Sequence, residues 1–225
     1  MVFKIDNKTL EIIESSRKIL SQQIAIIGSL LRNVSNKKDD PVSKIGINII
    51  AVSAEIVALE IIENIRRGHI VLSVIGLRTL FENFVNIHYI FHHPQHLGDK
   101  EWAKELCDDF VKRSEDNQYM KSKLGSKSLS SRAKEVYFEK FYEKIYIELS
   151  NYSHSLMSIV KCGDPVLIRN IRIEVSLYTI MFLQDSISAM ISFFSPKLEP
   201  NINLLSTIDE INRLKRISEG ILNKK

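Results

Sequence analysis

The stretch Ile70-Val-Leu-Ser-Val-Ile-Gly-Leu-Arg-Thr-Leu-Phe-Glu-Asn-Phe-Val-Asn-Ile-His-Tyr-Ile-Phe91 decides the fold, because a membrane span and a buried core helix both look like this at first sight. A bilayer-crossing helix needs roughly 18 to 20 apolar residues with few or no charges. Arg78, Glu82, Asn83 and Asn86 interrupt the run in its centre. The same objection applies to residues 175–195, where Gln184 and Asp185 break the apolar sequence. Both stretches therefore read as helices buried inside a water-soluble protein, with no membrane contact expected.

Working outward, Pro94 closes this helix near His93, since proline disfavours helical geometry in the residue before it. On the other side Gly68 separates it from a helix running from Pro41 to Arg67. Before that, a first helix spans Asp6 to Val34, with Asp6 or Asn7 as its N-cap. After it come a charged fourth helix (Asp99–Leu124), a fifth (Ser131–Val160) and a sixth (Leu167–Phe194). The turn Gly163-Asp164-Pro165 precedes the sixth, and Pro196 follows it. A seventh runs from Ser206 to Leu222, with Ser206 and Thr207 as candidate caps. No segment alternates as a strand does. The expectation is an all-α, antiparallel bundle of about six or seven long helices. It forms one domain over residues 1–225, with a core bundle over about 41–195 and helices 6–34 and 206–222 packed on it.

Composition agrees. Glycine (8) and proline (5) are scarce, which favours long elements over many turns, and 44% hydrophobic residues suffice for a sizeable core. The net charge of +4 is mild, so it permits a polyanionic partner without requiring one. Cys107 and Cys162 have no metal-ligand spacing and read as reduced thiols of a cytoplasmic protein. The N-terminus lacks the apolar run of a signal peptide.

Two helices concentrate chemistry-bearing residues. In the fifth, Phe138, Phe141, Ile145, Leu149, Tyr152, Leu156 and Ile159 recur at helical spacing as a core stripe, and Lys140, Glu143, Lys144 and Asn151 fall opposite. Tyr142, Tyr146, Ser150 and His154 form a row of their own at the edge of that stripe. In the third, Arg78, Thr79, Glu82, Asn83 and Asn86 share an arc of about 140°. Val71, Leu72 and Ile75 lie on the same arc earlier in the helix, which suits a polar site inside a bundle as well as a narrow solvent face.

Arg78-x-Leu80-x-Glu82 on an apolar helix, followed by Leu149-Ser150-x-x-x-His154 on a later one, resembles a prokaryotic all-helical family of uncharacterised function. That family is similar in organisation to the HEPN (higher eukaryote and prokaryote nucleotide-binding) group, many members of which are dimeric, metal-independent ribonucleases of toxin and phage-defence systems. The resemblance spans about residues 50–195. It implies a homodimer that acts on RNA, a partner or antitoxin protein, and neither metal nor other cofactor. The close Arg–His pair that the group carries on a single helix does not occur on the fifth or sixth helix here. Catalysis would require Arg78 and His154 to meet across helices. His154 would then act as general base or acid, Arg78 would hold phosphate, Glu82 would orient either, and Ser150 would position the imidazole.

Other candidates have simpler readings. His88 and His92 stand four apart, a chelating spacing, but the run with His93 and His96 has only Asp99 and Glu101 as acidic neighbours, beyond the turn, and reads as a polar helix end. Glu55 reads as a solvent-face residue. Lys121, Lys123, Lys127, Arg132 and Lys134 crowd the connection between the fourth and fifth helices, which is the first place to look for phosphate contacts. Two function classes follow: an RNA-directed, HEPN-like protein, or a non-catalytic helical scaffold that dimerises or docks a partner protein.

Overall fold

A computed structural model describes residues 5–35, 48, 50–91, 101–102, 104–105, 128–148, 163–194 and 202–222. All regular structure among them is helical, in a bundle without strands. The α-helices are α1 (Asn7–Ser35), α2 (Leu59–Arg67), α3 (Ile70–Phe91), α4 (Leu129–Glu135), the short α5 (Glu139–Phe141), α6 (Pro165–Phe194) and α7 (Ile202–Leu222). Two π-helical segments continue them: Ser53–Ala58 runs into α2, and Tyr142–Glu148 extends α5.

Local chemistry sets the helix ends. Asp6 caps α1, with Oδ1 accepting from the backbone N–H groups of Lys8 (3.1 Å) and Thr9 (3.0 Å) and Oδ2 accepting from Thr9 Oγ1 (2.6 Å). Asp164 caps α6 by accepting from the N–H groups of Val166 and Leu167, and Pro165 takes the first helical position, where its missing N–H costs nothing. Gly68 ends α2 in the left-handed conformation (φ 84°), and the N–H of His69 returns to the carbonyl of Asn64 at 2.7 Å. This turn reverses the chain and sets α3 against α2.

The centre of the molecule is the α3–α6 pair, with α1 and α7 packed on the outer side of α6 and α2 flanking α3. Phe81, Phe84 and Phe182 are fully buried there, with the Phe182 ring 5.4 Å from Phe81 and 4.7 Å from Phe84. Such ring pairs add about 0.5–1.5 kcal/mol each beyond their area burial. A buried amide fixes the register of α1 on α6: Gln23 Nε2 donates to the carbonyl of Ile180 (2.9 Å) and to Gln184 Oε1 (3.1 Å). By length and composition α3 could cross a membrane, yet half of its most apolar window is buried against the other helices.

Two sequence expectations are corrected. The fifth helix does not run unbroken from Ser131. It begins at Leu129 behind the Ser128 N-cap and stops at Glu135; the chain then turns at Tyr137 and restarts at Glu139. Tyr137 itself takes a left-handed conformation (φ 63°), and the bonds Tyr137 N–H to Lys134 O and Phe138 N–H to Ala133 O close the helix end. The seventh helix starts at Ile202 rather than Ser206, and Thr207 is a buried interior residue instead of a cap. Of the two readings of the α3 arc, the exposure of Leu72 and Ile75 favours a solvent face at its start.

Candidate functional site

The polar middle of α3 faces the segment that follows α4. Arg78 lies half-buried, with its guanidinium carbon 4.5 Å from the centroid of the Tyr146 ring, a cation–π contact worth about 0.5–2 kcal/mol depending on desolvation. Tyr146 stacks in turn on Tyr142, with centroids 5.1 Å apart and planes inclined by only 15°. The row expected from the sequence is thus present in its first two members, and its second member rests on Arg78. Ser150 and His154 lie outside the described residues, as do Lys121, Lys123 and Lys127.

Glu82, one helical turn beyond Arg78, is exposed. The two residues do not form the ion pair that their spacing suggests; none joins them among the described residues. Glu82 acts instead on Arg132. Burial depresses the ionisation of the Arg132 guanidinium, and nearby Glu82 partly restores it. Arginine so placed stays protonated at neutral pH. Arg132 is only 8% exposed, which corrects its reading as part of a solvated basic loop. The sequence carried a signal for this. Leu129, Arg132, Ala133 and Val136 follow the three-and-four spacing of a core stripe, and Arg132 stands within it.

Two buried polar atoms on this face of α3, Arg78 Nε and Asn86 Oδ1, have no hydrogen-bond partner among the described residues. Such groups cost about 1–3 kcal/mol each when left unmade. Asn83, on the flank toward α2, is satisfied: its Nδ2 donates to Ser53 Oγ at 3.0 Å. The polar centre of α3 is therefore held on both sides by π-helical segments, through Ser53 on one and Tyr146 on the other. Such segments are rare and concentrate at functional sites.

His88 also departs from its sequence reading. It is buried, edge-on to Phe84 (4.6 Å) and Phe138 (4.9 Å), so it is part of the aromatic core rather than of a polar helix end. His92, His93 and His96 lie outside the described residues. Glu55 is exposed, as a solvent-face residue should be.

Chemically, the face offers the half-buried guanidinium of Arg78 beside a stacked tyrosine pair, with Glu82 set against the buried Arg132. It can hold an anion bidentately and stack a flat group, and it carries a hydrogen-bond deficit that a ligand could fill. Comparison with protein-family models, with curated proteins and with solved structures returns no match.

Proposed function

We propose that this chain is an RNA-directed protein of HEPN-like organisation, a metal-independent ribonuclease whose site combines Arg78 and Glu82 of α3 with Ser150 and His154. Its setting is a bacterial defence or toxin system, as a cytoplasmic homodimer held silent by a partner protein. The observation that carries this reading is the seating of Arg78 on Tyr146, because Tyr146 belongs to the same four-residue row as Ser150 and His154. In the proposed reaction His154 takes the proton of a ribose 2′-hydroxyl, which attacks the adjacent phosphorus and expels the 5′-oxygen of the next nucleotide. Arg78 neutralises the charge that builds on the phosphorane. Lys121, Lys123 and Lys127 serve the RNA backbone, while Arg132, buried beside Glu82, stiffens the site.

The test is degradation of labelled RNA by purified protein with EDTA present. Wild type should cleave, and His154→Ala and Arg78→Ala should each lose about 10²- to 10⁴-fold in rate. Equal activity in wild type and His154→Ala, or none in wild type, sinks the mechanism.

A scaffold reading has its own support. Val52, Ile56 and Leu59 on one arm of the α2–α3 hairpin, and Leu72 and Ile75 on the other, are exposed apolar side chains. That is the kind of surface protein partners cover.

A further inference from the structure

A second site lies where α5 and α7 meet α6. α5, the π-helical segment after it, α6 and the last turns of α7 enclose an open cavity of about 260 Å³. Its apolar lining is Phe141, Leu177, Tyr178, Met181 and Leu222. The Tyr178 ring is braced from below by Phe182, stacked at 5.8 Å and 16°, while Lys144 Nζ lies 5.5 Å from its centroid.

The edge of this cavity is charged in both senses. Lys215 and Glu219 line it from successive turns of α7, and no ion pair joins them among the described residues. Residues four apart on a helix hold their Cβ atoms about 5–6 Å apart. That separation lets one small molecule meet both groups, with its anion on the lysine and its cation on the glutamate. Lys144 and Glu174 line the same cavity, so the ionisable lining contributed by the described residues sums to zero. A simple anion or a simple cation would therefore find as much repulsion as attraction.

We infer that this cavity binds a small amphipathic zwitterion, an α-amino acid with a large apolar side chain. Its ammonium pairs with Glu219, its carboxylate pairs with Lys215, and its side chain lies on Phe141, Leu177 and Met181. The apolar lining supplies affinity and the pair of opposite charges supplies selectivity. The site is independent of the Arg78 face, so either assignment can fail without the other.

Calorimetric titration of the full chain with L-phenylalanine tests it. L-Phenylalanine should bind. Phenethylamine, which lacks the carboxylate, and 3-phenylpropionate, which lacks the ammonium, should each bind at least about tenfold more weakly, the loss of one charge-assisted contact. Glycine, without an apolar body, should give no heat. Lys215→Gln and Glu219→Gln should each weaken L-phenylalanine by a similar factor. Both side chains are exposed, so the melting temperature without ligand should stay as in wild type. No binding of L-phenylalanine, equal binding of either single-charge analogue, or full binding by either variant overturns the assignment.

Discussion

Asp6 accepts hydrogen bonds from Lys8 N–H, Thr9 N–H and the Thr9 hydroxyl at the start of α1. Partial burial works against its ionisation, but these bonds together outweigh burial and hold the carboxyl below its ordinary value. A carboxyl lowered on folding stabilises the native state above its unfolded pKa, and that stability fades as pH falls through the folded value. Asp6→Asn keeps the capping oxygen without the titration. Urea midpoints of wild type and variant should therefore differ near neutral pH and converge as the pH falls below about 4, the unperturbed carboxylate range. Tyr137 presents the opposite case. Its left-handed conformation costs a non-glycine residue about 1–2 kcal/mol, and its side chain, 81% exposed, recovers little of that in packing. Tyr137→Gly should raise the unfolding free energy by about 1 kcal/mol in urea titration, because glycine is the usual residue at this helix-end position. Asp6 was legible as a cap because acid–amide chemistry is local. Tyr137 was not, because no sequence signal announces a tyrosine where glycine belongs.

The same divide governs the helices themselves. Those bounded by Asp6, Gly68 and Asp164-Pro165 were readable from their caps, and the α3 pattern was readable from its apolar length. The break within the fifth helix had no proline or glycine to mark it; it comes from the backbone bonds at Tyr137 and Phe138. The two π-helical segments were invisible for a related reason. Each keeps an apolar period that passes for α-helix, and each packs against α3. Element contacts also set the sign of glycine substitutions. A Cβ on Gly76 of α3 would lie 2.7 Å from Ile61 Cγ1, inside a fully packed interface with α2, whereas one on Gly28 of α1 would meet nothing within 4 Å. Alanine gains about 0.5–1 kcal/mol of helix propensity at either position. Overpacking costs about 1–3 kcal/mol, so Gly76→Ala should lose stability on balance. Gly28→Ala should keep the full gain. Thermal unfolding of the two variants should shift in opposite directions.

At the scale of the whole molecule, the all-α bundle was legible because hydrophobic period and helix length are properties of single elements. The candidate site was legible only in part because it is a property of pairs. Arg78 and Glu82 read as partners on one helix, yet Arg78 rests on Tyr146 and Glu82 acts on Arg132, both contributed by segments more than forty residues later. The α3–α6 pairing has a consequence for how the chain is made. Phe91 ends α3, and its main partner is complete only at Phe194, about a hundred residues later. At a synthesis rate of about 5–20 residues per second, that interval lasts roughly 5 to 20 seconds. Throughout it, a helix with the length and composition of a membrane span lacks its main partner, and its earlier neighbours α2 and Ser53–Ala58 cover only part of it. A chain stopped at residue 164 should pellet when expressed, and co-expression of a holdase chaperone should return it to the supernatant. The full chain should need neither. Nascent chains should then engage factors that shield apolar helices at the ribosome exit, and slower translation between α3 and α6 should lower the yield of folded protein.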